Sequence, residues 1–338
     1  MIDLRSDTVT KPTEEMRRAA YEAEVGDDVY KEDVTVQKLE EVAADMLGKE
    51  DALFVTSGTQ GNQIAVLSHC VAGNEVLLEA DSHIFYYEGG AISAFAGVQP
   101  RTIKGIRGAM NPTEIEAAIR DEDIHVPETG LICIENTHNR AGGAIVPLEN
   151  MRDIYTIAEQ QQIPVHLDGA RLFNAAVALN QPLHAFSAYS TTVQVCLSKG
   201  LGAPIGSIIA GDQAFIKKAR KWRKRLGGGL RQVGMIAAPG LVALTSMVER
   251  LSEDHQNAQR LANGLKEITG LEVVNQVETN IVLVDVAKKG ITSQQFIQLL
   301  AEQGIQAVSF GPSVVRFTTH YDVTSEQIDK ALQIINKL

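Results

Sequence analysis

The sequence predicts an α/β protein, with a large domain built on a mainly parallel sheet and a small C-terminal α+β domain. Three observations support this prediction. Short apolar, β-rich runs alternate with helical patterns as far as residue 210, a long helical region covers about 234–264, and strands and helices resume after it. At 338 residues, 44% of them hydrophobic, the chain can bury a full core. The predicted domains are residues 1–250 and 251–338.

The large domain is predicted to begin with a polar arm that reaches about Thr10. Pro12 then opens a helix, since proline is favoured in the first turn, and a second helical pattern ends at Gly48. The strands that follow are nearly apolar throughout, which indicates a mainly parallel sheet covered on both faces. We predict them at 52–56, 75–79, 98–103, 131–135, 164–168, 193–198 and 206–210.

The small domain is predicted from the last part of the chain. Two strands at 271–274 and 281–286 precede a helix at 293–303, a strand at 314–318 and a final helix at 325–337. This order differs from the alternation of the first domain, so it indicates a separate unit packed on it.

Composition restricts the function. The net charge of −11, from 42 acidic and 31 basic residues, argues against nucleic-acid or anionic-membrane partners, which favour basic surfaces. No secretory signal or membrane-spanning run is recognisable. Cys70, Cys133 and Cys196 each lie in an apolar stretch, which indicates buried thiols in a reducing cytoplasm and neither a metal site nor a disulfide framework. We therefore expect a cytoplasmic protein with a small-molecule partner and no bound metal.

The first motif is Thr56-Ser57-Gly58-Thr59-Gln60-Gly61-Asn62, between an apolar strand and a helical pattern. A glycine-bearing turn at a helix N-terminus presents free N–H groups to an anion, so it predicts a phosphate cup. It lacks the features of a P-loop or a dinucleotide fingerprint. An ordinary helix cap by Ser57 or Thr59 is the alternative.

Asp168 and Lys199 each follow or end a predicted strand of the sheet. Carboxyl ends of parallel strands form the ligand crevice, so both side chains are expected to point into one site. Asp168 either pairs with Arg171 in a salt bridge or binds a protonated ring nitrogen. Lys199 is either an exposed lysine or one that forms an imine, with the small residues of Gly200-Leu201-Gly202-Ala203 leaving room for a planar ligand.

His83 lies just past the strand at 75–79. An imidazole there can stack on a ring or transfer a proton near neutral pH, although a lone histidine is more often structural. The joint occurrence of an anion cup, a histidine, an acid and a lysine at strand ends matches the needs of pyridoxal 5′-phosphate (PLP).

The sequence resembles the low-specificity L-threonine aldolase family, whose members have the aspartate-aminotransferase-like PLP-dependent transferase fold (fold type I). The resemblance covers essentially the whole chain. It is carried by Asp3-Leu4-Arg5-Ser6-Asp7-Thr8-Val9-Thr10, Gly26-Asp27-Asp28-Val29-Tyr30, Ser57-Gly58-Thr59-Gln60-Gly61-Asn62, Glu135-Asn136-Thr137-His138-Asn139, His166-Leu167-Asp168-Gly169-Ala170-Arg171, Ser198-Lys199-Gly200-Leu201-Gly202-Ala203-Pro204, Gly227-Gly228-Gly229-Leu230-Arg231-Gln232 and Val315-Arg316-Phe317-Thr318-Thr319-His320.

The resemblance implies a role for each candidate residue. Lys199 would carry PLP as a Schiff base, Asp168 would pair with the pyridine nitrogen and His83 would stack on the ring. Gly58 and Thr59 would hold the phosphate. The substrate carboxylate would be bound by Ser6, Arg171 and Arg316, with Arg171 also close to the cofactor; the planar fork of arginine suits a carboxylate.

A second group of residues is implied less directly. His125 resembles a further family histidine near the substrate hydroxyl. Tyr30, on the substrate side, Arg231, on the cofactor side, and Lys224 would come from a partner subunit of a homotetramer. For Lys224, which lies in the basic run 217–225, an ordinary solvated helix face is the alternative.

The implied reaction is retro-aldol cleavage of L-threonine or L-allo-threonine to glycine and acetaldehyde. The deprotonating group is His83 or a water held by His83 and His125. Other PLP chemistries remain open, namely β-elimination, transamination, racemisation and a D-allo-threonine-type aldolase. A catalytically silent PLP-binding module is a further alternative.

Overall fold

In the computed structural model, which describes residues 1–338, thirteen strands form three sheets. The strands are β1 (Ile2–Asp3), β2 (Asp51–Val55), β3 (Glu75–Glu79), β4 (Gln99–Ile103), β5 (Thr129–Glu135), β6 (Val165–Gly169), β7 (Thr192–Cys196), β8 (Ser207–Gly211), β9 (Glu272–Val273), β10 (Ile281–Asp285), β11 (Ile305–Gln306), β12 (Val308–Ser309) and β13 (Val314–Thr318).

The central sheet has seven strands in the order β2-β8-β7-β6-β5-β3-β4. Strand β8 is antiparallel to both of its neighbours, and the other adjacent pairs are parallel. The prediction of a mainly parallel sheet is confirmed. Strands β3 and β13 have the predicted bounds, and the other predicted strands differ by at most two residues at either end.

Fourteen α-helices surround the sheets. They are α1 (Glu14–Glu22), α2 (Val34–Leu47), α3 (Gly58–His69), α4 (His83–Tyr86), α5 (Ala91–Ala96), α6 (Pro112–Ala118), α7 (Leu148–Gln160), α8 (Leu172–Leu179), α9 (His184–Ser187), α10 (Gln213–Arg225), α11 (Gly234–Ser246), α12 (Leu251–Lys266), α13 (Ser293–Glu302) and α14 (Ser325–Ile335), with 3₁₀ turns at Asp7–Val9 and Ala287–Lys289.

The predicted helices at 293–303 and 325–337 end one and two residues earlier, at Glu302 and Ile335, and two other helix predictions are also wrong. Helix α1 begins at Glu14 and not at Pro12, because the side chain of Thr13 caps it by accepting from the N–H of Met16. The long helical region is two helices, α11 and α12, bent by 71°. The residues that flank the break, Met247 and Leu251, are both buried in the large core, so the bend lets both pack inward.

Helix α2 ends as predicted at Gly48, whose φ of 59° is a left-handed conformation that glycine adopts without strain.

No single helix is long and apolar enough to cross a membrane, and the bent pair α11 and α12 meets that test only when both are taken together. The three cysteines are buried and unpaired.

The first residues of the chain do not form a wholly polar arm. Strand β1 pairs in parallel with β11, and Ile2 and Leu4, which are on the same side of an extended chain, are buried in the apolar cluster of the C-terminal part. The predicted division at residue 250 assigns this segment to the first domain, whereas its apolar side chains pack in the second cluster. By its apolar packing, the start of the arm therefore belongs with the C-terminal part of the chain.

Candidate active site

A cavity of about 310 Å³ opens beside the carboxyl ends of the central strands. The N-terminal arm, the loops that follow β3, β5, β6 and β7, and the segment 308–316 all contribute to its walls. Five of the predicted site residues line it, namely Ser6, His83, Arg171, Lys199 and Arg316. The other residues of the lining are Thr8, Tyr87, Asn139, Val308, Ser309 and Phe310.

Lys199 lies in the loop 197–206, which joins β7 and β8. Its backbone carbonyl accepts a hydrogen bond from Thr10 Oγ1 at 2.9 Å, while its Nζ has no hydrogen-bond or ion-pair partner in the chain. A Cβ on the neighbouring Gly200 would come within 2.8 Å of Leu251 Cδ2, so any larger residue there would have to displace the buried Leu251 side chain. The lysine amine is thus presented to the cavity free to react.

Asp168 is on β6 and is 1% exposed. Its Oδ2 accepts from Asn62 Nδ2 at 2.9 Å, and its Oδ1 accepts from the N–H of Ala170. Arg171 does not contact it, so the alternative of an Asp168–Arg171 salt bridge is wrong. The carboxylate instead keeps capacity for a further donor, which the predicted pyridinium partner requires.

A chain of two further hydrogen bonds fixes the orientation of the Asn62 side-chain amide. His166 Nε2 donates to Asn62 Oδ1 at 3.0 Å, and Thr192 Oγ1 donates to His166 Nδ1 at 3.0 Å. Burial lowers the pKa of His166 to about 4, so the ring is neutral and its one N–H points at Asn62. The NH₂ group of Asn62 is consequently directed at Asp168.

Arg171 pairs with Asp7 of the N-terminal arm. Its Nε and Nη2 donate to the two carboxylate oxygens of Asp7, each at 2.7 Å, and both side chains are buried. Burial alone would raise the pKa of Asp7, but the guanidinium of Arg171 outweighs it and holds that pKa well below its usual range. The arm therefore anchors this arginine at the cavity wall.

Arg316 approaches the same point from β13. Its Nη1 donates to Asn139 Oδ1 at 3.1 Å, and Arg171 Nη1 donates to the same oxygen at 3.4 Å. Burial and the neighbouring Arg171 lower the pKa of Arg316 to about 10, and its buried Nε has no partner. Two guanidinium groups beside one cavity, with an unsatisfied donor, form a receptor for an anion such as a carboxylate.

His83 begins helix α4, and its ring orientation is fixed by Glu88. The His83 Nδ1–H donates to Glu88 Oε1 at 3.0 Å, which leaves Nε2 without a partner in the chain. Burial favours the neutral ring, but the hydrogen bond to Glu88 and the charges of Asp168 and Glu88 outweigh it and raise the pKa of His83. The free Nε2 can act as a proton acceptor.

The predicted phosphate cup is the N-terminus of helix α3. Ser57 is the N-cap and accepts from the N–H of Gln60, as the simple capping alternative requires. The N–H groups of Gly58 and Thr59 remain without a partner in the chain. A Cβ on Gly58 would lie 2.9 Å from Cys196 Sγ, so glycine lets the helix start close to the sheet. Capping and anion binding are therefore compatible here.

Seven predicted site residues are not part of the cavity lining. Three of them, Gly58, Thr59 and Asp168, lie at the N-terminus of α3 and on β6 as described above, and the other four lie on exposed parts of the chain. His125 lies in an exposed loop, where its Nδ1 is 2.7 Å from Asp123 Oδ1. Tyr30 is 74% exposed, Lys224 lies on the exposed surface of α10, and Arg231 pairs with Asp27 at 3.3 Å. Their expected roles stay predictions.

Several polar residues of the site were not assigned a role from the sequence. Asp7, Asn62, Glu135 and Asn139 lie inside the motifs that carry the family resemblance, which is the one signal that could have found them. Glu88 has no such signal, since an acid a few residues after a histidine is common in any chain.

The chemistry of these groups fits PLP. Two free N–H donors at a helix N-terminus suit its phosphate, a buried carboxylate suits its ring nitrogen, and an unpaired lysine amine suits its carbonyl carbon. The guanidinium pair adds a place for the carboxylate of an amino acid.

Comparisons with known proteins agree with this geometry. The Beta-eliminating lyase family model matches residues 3–289. Low-specificity L-threonine aldolase 1 of Arabidopsis thaliana is 46% identical over 337 residues, covering 98% of this chain and 94% of that relative. The low specificity L-threonine aldolase of Escherichia coli K12 is 40% identical over 329 residues, covering 97% and 96%.

Solved structures show the same fold. A threonine aldolase from Leishmania major superposes with a TM-score of 0.85 at 18% identity and covers 100% of this chain and 99% of its own. A putative L-allo-threonine aldolase from Listeria monocytogenes EGD-E has a TM-score of 0.82 at 20% identity, with coverage of 99% and 94%.

Proposed function

The chain belongs to the low-specificity L-threonine aldolases within the beta-eliminating lyase family, and we propose that it cleaves L-threonine and L-allo-threonine to glycine and acetaldehyde. It is a PLP-dependent lyase. One observation carries the choice of substrate class: the two guanidinium groups of Arg171 and Arg316 lie in the same cavity as the free amine of Lys199. An α-amino acid carries an amino group and a carboxylate, the two groups that such a cavity can bind.

The residues that would hold the cofactor are those described above. Lys199 would bind its carbonyl carbon through Nζ, Gly58 and Thr59 its phosphate through backbone N–H groups, and Asp168 its ring nitrogen. His83 would contact the ring face. When bound, PLP supplies an electron sink for the electron pair of a broken bond at Cα.

The guanidinium groups orient the substrate. The Nε and Nη2 atoms of Arg171 are hydrogen-bonded to Asp7. Its Nη1 donates to the same Asn139 oxygen that accepts from Arg316. A substrate carboxylate bound by these two guanidinium groups cannot rotate freely. The Cα–Cβ bond of the substrate would therefore keep one direction relative to the cofactor ring. This alignment is what selects which bond at Cα breaks.

The proton of the β-hydroxyl needs an acceptor. His83 Nε2 is the free nitrogen in the cavity, since Glu88 occupies Nδ1. As the hydroxyl proton passes to Nε2, the C–O bond gains double-bond character and the Cα–Cβ bond breaks, releasing the aldehyde. Cα then takes a proton to give glycine. His125 would share this role only if its exposed loop moves or belongs to a neighbouring subunit's site.

A second candidate reaction is β-elimination, which the description of the matching family favours. The same lysine, acid and phosphate cup serve both reactions. The products separate them, because threonine gives acetaldehyde and glycine by aldol cleavage but 2-oxobutyrate and ammonia by elimination.

The test is to incubate the PLP-loaded protein with each of the four threonine stereoisomers and to measure all four products. Acetaldehyde with equal glycine from the two L isomers supports the proposal. Oxobutyrate and ammonia in their place would establish the eliminating lyase, and acetaldehyde from the D isomers alone would establish a D-allo-threonine-type aldolase.

We further propose that the enzyme is a cytoplasmic homotetramer in which Tyr30, Lys224 and Arg231 reach the active site of a neighbouring subunit. Exposed apolar side chains close to Tyr30 along the chain, Val25, Val29 and Val34, support burial of this surface by another copy. The buried free thiols support a reducing compartment. Light scattering gives the oligomeric mass, and a monomer with full activity would exclude the shared site.

A further inference from the structure

Glu135 ends strand β5 and holds two different loops of the active site by their backbones. Its Oε2 accepts from the N–H of His83 at 2.6 Å, and its Oε1 accepts from the N–H of Asn139 at 2.8 Å. The residue is 5% exposed and is not part of the cavity lining. In the sheet it lies directly opposite Asp168 of the neighbouring strand.

The two loops bring different functions to the cavity. The first carries His83, whose free Nε2 is the proposed acceptor of the hydroxyl proton. The second carries Asn139, whose Oδ1 accepts from both Arg171 and Arg316 and so sets the distance between the two guanidinium groups. One carboxylate therefore connects the proton acceptor with the carboxylate receptor.

We propose that Glu135 is a positioning residue that fixes His83 and the Asn139 bridge relative to each other, so that an amino acid held by the arginines meets the histidine. The proposal rests on the proposed function, because it gives these loops their roles in amino-acid cleavage. Glu135 touches neither substrate nor cofactor and acts through Asn139 and His83.

The role requires a carboxylate. Both oxygens of Glu135 face N–H donors, and an ionised carboxylate is acceptor-only on both sides. In Glu135→Gln one side becomes NH₂, which would place donor against donor at one of the two loops. The bond to His83 is the shorter, so we expect the amide oxygen to remain there and the Asn139 loop to be released.

A matched control comes from another buried acid that supports backbone away from the cavity. Glu40 is also 5% exposed, accepts from the N–H of Phe54 at 2.9 Å and pairs with Arg220 at 2.7 Å. It contacts no residue of the cavity lining. Glu40→Gln therefore reports the cost of replacing a buried carboxylate without disturbing the site.

The experiment measures glycine affinity by absorbance titration of the PLP-loaded protein, together with the PLP affinity of the apoprotein. Glycine has no β-hydroxyl, so its binding does not depend on cleavage. For Glu135→Gln we expect the glycine Kd to rise about tenfold or more, the loss expected for a weakened charge-assisted contact, with a small change in PLP affinity. Glu40→Gln leaves both affinities at the wild-type value.

Asn139→Ala shows whether the effect passes through the bridge. In that background Glu135→Gln adds no further loss of glycine affinity if the proposal is right. An unchanged glycine Kd in Glu135→Gln, or a second full loss in the Asn139→Ala background, overturns it. If the amide variant does not fold, Glu135→Asp, which keeps both oxygens on a shorter side chain, takes its place with the same expected loss.

The two hypotheses fail separately. Acetaldehyde release by the wild-type enzyme tests the proposed function, whereas glycine affinity tests Glu135. A wild type that releases no acetaldehyde, combined with the expected glycine affinities, removes the aldolase assignment and leaves the positioning role of Glu135 intact.

Discussion

Arg171 and Asp7 form a bidentate ion pair, with both N–O distances at 2.7 Å, although 164 residues separate them in the chain. Both side chains are buried, so each depends on the other for its charge. The N-terminal arm is thus a structural part of the candidate active site. Removing the acid leaves an uncompensated guanidinium beside the proposed substrate position.

We expect Asp7→Ala to raise the KM for L-threonine at least tenfold, because Arg171 loses the partner that fixes its fork. Breaking a buried pair also costs about 3–5 kcal/mol of stability, so thermal unfolding is measured together with kcat and KM. The control is Asp3→Ala in the same arm, whose partner Arg5 is exposed and outside the cavity. An Asp7 variant that folds and keeps the wild-type KM would contradict the role of the pair.

Lys199→Ala is expected to abolish both turnover and the yellow colour of the lysine-bound cofactor. The Nζ of Lys199 has no other partner, so its loss costs little stability. Absorbance spectra and acetaldehyde release check the two effects, with Lys330→Ala as the control, an exposed lysine on α14 that is not part of the cavity lining. Ordinary aldolase rates in a purified Lys199 variant would refute the central assignment.

Asp168→Ala is expected to lower kcat sharply while the fold survives. In its proposed role the carboxylate would keep the ring nitrogen of PLP protonated, so removing it would weaken the electron sink that the cofactor supplies. Circular dichroism confirms folding, and kcat is compared with that of Asp168→Glu, which retains the charge on a longer side chain. Unchanged kinetics in the alanine variant would make Asp168 a purely structural acid.

Much of the fold was predictable because its strands are short apolar runs with clear ends. The strands β3 and β13 match the predicted bounds, and the mainly parallel sheet is confirmed. Strand β1 was missed because two residues give no periodicity of their own. It forms only because β11, about 300 residues away in the chain, offers it a partner.

The sequence predicts which strand ends contribute residues to the site, but not which of these side chains form hydrogen bonds or ion pairs with one another. Sequence spacing brings Asp168 and Arg171 together, whereas the folded chain pairs Arg171 with Asp7 and directs Asn62 to Asp168. These partners come from distant segments, and only the tertiary fold determines which charges meet. His125 was predicted from its resemblance to a family histidine, but in the single chain it lies in an exposed loop outside the cavity.

The pH dependence of turnover is expected to follow His83. In its proposed role as proton acceptor His83 must be neutral at Nε2. Burial and the charge of Lys199 lower the pKa of His83, but the hydrogen bond to Glu88 and the charges of Asp168 and Glu88 outweigh them and raise it. Because the protonated ring is inactive, kcat falls by about tenfold per pH unit below that raised pKa. In Glu88→Gln the carboxylate charge is lost and the pKa of His83 falls, so the acid limb of the kcat profile moves to lower pH.

The measurement is kcat against pH at saturating L-threonine for the wild type, Glu88→Gln and the control His184→Asn. His184 begins helix α9 and does not line the cavity, so its replacement leaves the acid limb in place. An acid limb that stays at the same pH in Glu88→Gln would show that another group accepts the proton. That group would then be a water or a histidine brought in by a neighbouring subunit, and His83 would serve only to contact the cofactor ring.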